Sequence, residues 1–338
     1  MPRKRRSPDD RDGVLVIDKP AGPTSHDVVQ AVRRAAGQRR VGHTGTLDPP
    51  ATGVLVVCLG RATRLVQYLQ AGHKTYAAQM VLGVVTSTQD AEGEVLARVP
   101  ARGIDERRVC EALTRFQGEL LQVPPMVSAV KVAGERLHER ARRGEEVERD
   151  ARPVTVHDLV LDAYDDSDPD HPRVSFLVTC SAGTYVRTLA HDVGAELGVG
   201  ASLTSLRRVA NGPFTVDEAH DLDAVRDAGA NGVLDRLLLR PEEAIARALP
   251  TVDVDDPDLA LALTQGKPAL AAQGRTGDYA VRHGGHLLGV FADRGPGARS
   301  QLVWTRPEEL APRVAPDPAD AARSAPVDDP TDSGRAAP

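Results

Sequence analysis

Gly42-His-Thr-Gly-Thr-Leu-Asp-Pro49 is the stretch on which the reading of this chain turns. Its two glycines open backbone conformations closed to other residues. Pro49 moves Asp48 out of the α region, towards an extended or turn conformation. Apolar runs flank the stretch, Val14-Leu-Val-Ile17 before it and Val54-Leu-Val-Val-Cys-Leu59 after it. A carboxylate fixed at such a turn is well placed to face a pocket. Taken alone, an Asp-Pro pair more often simply begins a turn. The segment lacks the G-x-x-x-x-G-K-[ST] pattern, so it does not read as a phosphate-cradling loop.

Outward from this stretch, residues 13–19 read as a strand ended by Pro20-Ala-Gly-Pro23. Thr24 offers an N-cap with Asp27 three residues on, opening a helix to about Ala36. After the glycine-rich turn 42–53 the pattern predicts a strand over 54–59, a helix over 62–69 and a strand over 76–82. Residues 154–161 and 174–180 read as further strands. Residues 183–197 carry helical apolar spacing at Val186, Leu189, Ala190 and Val193. Strands and helices without strict alternation predict an α+β fold with a large mixed, mainly antiparallel sheet.

The 338 residues suffice for two domains. Residues 1–12 and 306–338 read as disordered, the second because Ala, Pro, Asp and Arg dominate it. Residues 13–249 form the larger domain and 250–305 a small β-rich one. Within the larger, residues 131–152 carry seven basic and six acidic positions, which predicts a solvated insertion. No apolar stretch approaches the roughly 20 residues needed to span a bilayer, and the N-terminus lacks the apolar core of a secretory signal. Three scattered cysteines, Cys58, Cys110 and Cys180, form neither a disulfide framework nor a zinc pattern. These features predict a cytoplasmic protein.

The net charge of −6 argues at first against a nucleic-acid partner. Its distribution matters more. Residues 217–258 hold twelve acidic and four basic positions, a balance of −8, whereas residues 13–100 hold nine basic and six acidic, a balance of +3. Arg33, Arg34, Arg39 and Arg40 cluster in the second segment. Such a cluster is by itself most often a solvated helix face.

Further segments accompany the Asp48 turn in order: Gly13-Val-Leu-Val-Ile-Asp-Lys-Pro20, Ala51-Thr-Gly53, Lys74-Thr-Tyr76 with Leu82-Gly83, and Thr86-Ser-Thr-Gln-Asp90 with Gly93. Ser128-Ala-Val-Lys131 with Gly134, Ala151-Arg-Pro153, Gly183-Thr-Tyr-Val-Arg187 and Ser205-Leu-Arg-Arg208 complete the series. Together with the Asp48 stretch they resemble the signature of the TruB-type bacterial tRNA pseudouridine-55 synthases, across residues 13–208. The resemblance implies an isomerase that converts uridine 55 in the tRNA T loop to pseudouridine. It implies Asp48 as the nucleophile, Tyr76 stacked on the target base, and Tyr185 and Leu206 lining the uracil pocket. Arg187 matches the partner of the aspartate, and His43 the histidine that enters the T loop. Lys19 lies in a matched motif and is expected among the substrate-binding residues.

The residue types suit those roles. Detaching and re-attaching uracil needs a nucleophile on the sugar carbon or stabilisation of developing positive charge, and a carboxylate provides both. An arginine keeps it ionised and oriented, and the target base must leave its stack to be reached. Tyr185 and Arg187, two apart, would face one side of an extended backbone. No metal and no cofactor is expected, and the partner is tRNA, at the T arm and, through a PUA-like C-terminal domain, the acceptor region. No membrane and no obligate protein partner is expected. Residues 124–152 match the family's RNA-gripping insertion, with Val127 and His138 where aromatics are common; Pro50 stands where leucine is common. Two other readings compete: a guide-RNA-dependent pseudouridine synthase subunit, and a tRNA folding chaperone in which catalysis is secondary.

Overall fold

In the computed structural model, residues 11–128, 131–132, 135–137, 140, 143, 145 and 147–310 are described. The chain divides into two compact units, Met1–Pro250 and Thr251–Pro338. Strands of the first are, in chain order, β1 (Gly13–Lys19), β2 (Val41–His43), β3 (Thr52–Leu59), β4 (Lys74–Leu82), β5 (Val84–Thr86), β6 (Val95–Arg98) and β7 (Gly118–Gln122). They continue as β8 (Lys131–Val132), β9 (Glu135–Arg136), β10 (Arg152–Asp165), β11 (Arg173–Cys180), β12 (Ala201–Asn211), β13 (Phe214–Thr215) and β14 (His220–Asp221). Ten of them form one sheet in the order β14-β1-β3-β12-β4-β11-β10-β7, with β2 added to β3 and β13 to β12. The pairs β1–β14 and β12–β3 are parallel and the others in this sheet antiparallel. The α+β class with a mixed, mainly antiparallel sheet is thus the observed one.

Helix Ser25–Ala36 starts where the sequence puts it. Thr24 accepts from the Asp27 amide and Asp27 from the Thr24 amide, a reciprocal cap, and Gly37 at φ 65° ends the helix. The helix buries Val28, Val29 and Val32 against Leu15 and Ile17 of β1, Leu55 and Val57 of β3, and Leu222 and Val225 of helix Leu222–Ala230. A second core lies under the other part of the sheet. There Val186, Leu189 and Val193 of helix Val186–Glu196 meet Met80 of β4 and Phe176 and Val178 of β11. Each such large side chain, fully buried, stabilises the fold by roughly 1.5–3 kcal/mol.

Three details depart from the pattern reading. Residues 62–69 do not form one helix: a 3₁₀ stretch Gly60–Leu65 precedes the short helix Val66–Gln70. Arg11 and Asp12 are held rather than loose, Asp12 by the Arg61 backbone amide and guanidinium and Arg11 by Gln38 and Asp235. Pro307–Leu310 forms a helical turn whose Leu310 packs on the second unit's core. Residues 1–10 and 311–338 lie outside the described residues, as do His138 and Gly134. Described parts of the charged insertion are the β8–β9 pair and ion pairs of Arg143 with Glu135 and Glu145.

The second unit is built on β15 (Thr251–Asp253), β16 (Asp278–His283), β17 (His286–Arg294) and β18 (Gly297–Val303), joined in that order. Helix Pro257–Thr264 packs Ala260 and Leu263 onto Tyr279, Val281 and Phe291. Gln265-Gly-Lys-Pro268 is the turn that leaves this helix. Among the described residues no helix is long and apolar enough to cross a membrane.

Candidate active site

The loop between β2 and β3 is tied down along its whole length. Ser25, first residue of its helix, donates its hydroxyl to Leu47 O (2.9 Å) and accepts from Leu47 N (2.8 Å). Pro49 O accepts from the Gly22 amide at 2.9 Å. Lys19 Nζ donates to Pro20 O (2.8 Å), Pro49 O (3.0 Å) and Ala51 O (2.7 Å), so all three of its protons are spent on main-chain oxygens. Ala51 N closes a four-residue turn onto Asp48 O at 3.1 Å. Asp48 is thereby presented outward from a loop that has little freedom to move.

Register supplies the other side of the loop. β12 runs between β3 and β4, placing Arg208 opposite Gly53 on one side and Tyr76 on the other. Arg208 is 1% exposed. Its Nε donates to Val54 O (2.7 Å) and its Nη2 to Gly45 O (3.1 Å). Gly53, at φ +99°, lies so close that a Cβ there would sit 2.2 Å from Arg208 O. Only glycine accommodates both the left-handed backbone and that approach.

Asp48 meets Arg187 across the mouth of a cavity. Arg187 Nη2 lies 3.0 Å from Asp48 Oδ2, and Nη1 lies 3.1 Å from Asp90 Oδ2. Nη2 also donates to Val127 O at 2.6 Å. The arginine is 5% exposed and Asp90 10%, whereas Asp48 is 43% exposed on its cavity side. Asp90 is itself fixed, accepting on Oδ1 from the Thr88 hydroxyl and the Glu92 amide. Gln89 before it adopts φ 66°, at a cost of about 1 kcal/mol for a residue with a Cβ. Its side-chain oxygen accepts from Thr188 Oγ1 at 2.7 Å and its carbonyl from Leu203 N at 3.0 Å. Arg187 sits in the first turn of its helix, where the helix dipole disfavours a cation, and two carboxylates offset this.

The cavity encloses about 620 Å³ and is walled by Tyr76, Tyr185, Leu203, Leu206, Lys74 and Arg208, with Asp48 at its rim. Such a volume falls in the range of small-molecule sites and has room for an extruded nucleotide. Tyr185 is the N-cap of helix Val186–Glu196, not part of a strand. The expectation that Tyr185 and Arg187 share one side of an extended backbone is therefore wrong, because the helix begins between them. Both still reach the cavity. Buried Gln122 holds Tyr185 by its backbone, accepting from Tyr185 N at 2.7 Å and donating to Tyr185 O at 3.1 Å.

Burial raises Asp48 above the usual carboxylate range; Arg187 and Lys19 pull it back, while Asp90 pushes it further up. Burial likewise raises the Tyr76 hydroxyl, against the pull of Arg208. Lys19 and Lys74 are each lowered to about 8, first by burial; Asp48 opposes this at Lys19, and Arg208 adds to it at both. His43 is lowered by burial and then by Arg208.

Five of the seven residues picked from the sequence thus converge: Asp48, Arg187, Tyr76, Tyr185 and Leu206. Two stand apart. Lys19 is fully buried beneath the loop and does not line the cavity. His43, on β2, accepts from the Gly45 amide at 3.2 Å and is half-buried outside the lining. Pattern reading gave no role to Asp90, Lys74, Arg208 or Gln122. The first three lie in segments already quoted; no motif marks Gln122.

Known proteins resemble this chain over most of its length. Residues 33–186 match the TruB family pseudouridylate synthase N-terminal domain, and residues 187–246 the tRNA pseudouridylate synthase B C-terminal domain. A tRNA pseudouridine synthase B of Corynebacterium aurimucosum is 44% identical over 90% of this chain and 99% of its own length. That of Thermobifida fusca is 52% identical over 71% of this chain and 80% of its own. In fold, the protein resembles a chain in the crystal structure of a Cbf5–Nop10–Gar1 complex, with a TM-score of 0.67 and 27% identity over 88% of this chain and 86% of that one. Family matches over residues 33–246, which run through the Asp48 loop and the Arg187 helix, leave one assignment: the chain belongs to the TruB family of pseudouridylate synthases.

Proposed function

We propose that this protein isomerises uridine 55 in the T loop of tRNA to pseudouridine in the cytoplasm, with Asp48 as the nucleophile. One observation carries the reading. A fixed carboxylate, ion-paired to a buried arginine, faces a cavity with room for a nucleotide, walled by two tyrosines and two leucines. Isomerisation breaks the N1–C1′ bond, turns the uracil and forms a C5–C1′ bond, moving one proton from C5 to N1. Asp48 accepts the positive character that develops on the sugar as uracil leaves. Arg187 keeps it ionised and aimed. Tyr76 and Tyr185 offer faces on which the extruded base stacks, and Leu206 closes the pocket. On this reading His43, outside the cavity lining, supports the opened T loop. Residues 124–152 grip the stem, and the second unit, in the manner of a PUA domain, contacts the acceptor region.

Likeness to a chain from a ribonucleoprotein structure raises a guide-dependent alternative. Higher identity to proteins named tRNA pseudouridine synthase B favours bare tRNA as substrate. The test uses purified protein and an unmodified tRNA transcript, with pseudouridine located by mass spectrometry. Wild type should modify position 55 without a guide RNA. Asp48→Asn should form none while binding tRNA within roughly tenfold, about 1.4 kcal/mol. Arg187→Met should cripple the reaction, and the double variant should be little worse than Asp48→Asn, since the two act as one unit. Substantial turnover by Asp48→Asn would overturn the assignment.

A further inference from the structure

Many arginines of the first unit pair with carboxylates, among them Arg61 with Asp12, Arg102 with Asp170, Arg107 with Glu111, Arg115 with Glu196, Arg207 with Asp18 and Arg247 with Glu218. Four consecutive cations of the sequence, gathered at one helix end, do not. Arg33, Arg34, Arg39 and Arg40 make no ion pair among the described residues, although the chain carries a net charge of −6. Arg40 donates to Thr63 Oγ1 and Arg33 to Val41 O, both neutral acceptors. Arg34 and Arg39 are exposed and make no side-chain hydrogen bond among the described residues. The adjacent Arg11–Asp235 pair adds no net charge.

These side chains border a groove of about 400 Å³ at the end of helix Ser25–Ala36, lined by Gln30, Arg33, Arg34, Gly37, Gln38 and Arg39. Basic residues in a last helical turn ordinarily complement the helix dipole and its open carbonyls. Here that need is met by the backbone, since the amides of Gly37 and Gln38 cap Arg33 O and Arg34 O, and Arg11 Nη1 takes Ala36 O. The guanidinium groups are left over. Arg33 Nε is buried with no partner among the described residues. Clustered, uncompensated charge on a concave surface is a footprint for a polyanion.

The groove's distance from the Asp48 loop bears on its use. The helix begins at Ser25, which holds the Asp48 loop, and the groove lies twelve residues on, about 18 Å at 1.5 Å per residue. That is beyond one nucleotide seated in the cavity. We infer that the arginine groove seats phosphodiester groups of the tRNA backbone at a distance from the reacting nucleotide. This rests on tRNA being the substrate.

The test measures dissociation constants for an unmodified tRNA transcript between 50 and 200 mM salt, with modification kinetics alongside. Arg34→Gln/Arg39→Gln removes two exposed charges. The slope of log Kd against log salt should fall by about 0.7–0.9 per lost phosphate contact. For two contacts, the loss of affinity across that salt range becomes about tenfold smaller than in wild type. Turnover at saturating tRNA should be unchanged. Arg34→Lys/Arg39→Lys keeps the charge and should keep the slope. Arg107→Gln/Arg226→Gln, with the same change in net charge elsewhere, should leave it alone. An unchanged slope in the first variant, or an equal fall in the third, would overturn the inference. Failure of wild type to form pseudouridine would instead refute the tRNA reading, while the slopes would still report on the groove.

Discussion

Asp90→Asn and Asp48→Asn remove carboxylates that hold one guanidinium at nearly the same distance, 3.1 and 3.0 Å. Burial, not distance, should separate their effects on stability. Asp90 and Arg187 are 10% and 5% exposed, so the variant leaves a buried cation facing an amide that also donates. Breaking a buried pair from one side costs about 3–5 kcal/mol. Asp48 and Val127 O still satisfy Nη2, so the lower end, about 3 kcal/mol, applies. In a unit of this size that lowers Tm by about 6–12 °C.

Asp48 behaves differently because 43% of its side chain meets solvent, where a pair is worth at most about 1 kcal/mol. Its pKa is also raised, chiefly by burial. A carboxyl with a folded pKa above its unfolded value adds stability below the unfolded value and loses it as the pH rises through the folded one. Ionised Asp48 is then a load on the fold at neutral pH, and Asp48→Asn should leave Tm unchanged or slightly higher. Activity should invert the order. Asp48→Asn abolishes it, while Asp90→Asn retains part. Removing the Asp90 charge that helps raise Asp48 should also move the acid limb of the rate profile to lower pH. Thermal and urea unfolding of both variants, with rates from pH 4 to pH 8, measure this. A lower Tm for Asp48→Asn than for Asp90→Asn would refute the reasoning.

Gly53→Ala forces a Cβ to 2.2 Å from Arg208 O at φ +99°, so it should cost more than about 3 kcal/mol and yield little soluble protein; a urea midpoint near wild type would contradict this. Gln122→Ala removes both bonds that fix the Tyr185 backbone, and should cost about 1–3 kcal/mol and raise KM for a T-arm hairpin more than it lowers kcat. Unaltered kinetics would remove Gln122 from the site. Lys74 is lowered to about 8, so between there and its unfolded value the unfolded chain binds the extra proton and stability rises with pH. Wild type should therefore gain stability relative to Lys74→Met from pH 8 to pH 10, and urea midpoints that run parallel would refute it.

What the sequence by itself determined is local. Thr24 with Asp27 marked the start of the first helix, because a cap involves residues three or four apart. Strands showed as apolar runs, and Pro49 marked Asp48 because a proline constrains its immediate predecessor. Tertiary structure alone decided which charges meet. Asp48, Asp90 and Arg187 are separated by 42 and 97 residues, and no periodicity reports a contact between separate strands, loops and helices. Lys19 reads as a surface cation in any local pattern, yet the crossing of β1 beneath the loop buries it among three carbonyls. Tyr185 and Arg187 were expected on one side of an extended backbone although helical spacing covered 183–197, because that spacing is silent about the residue at which the helix begins. Packing of Val186, Leu189 and Val193 into the core set that start, and with it the aim of the arginine at both carboxylates.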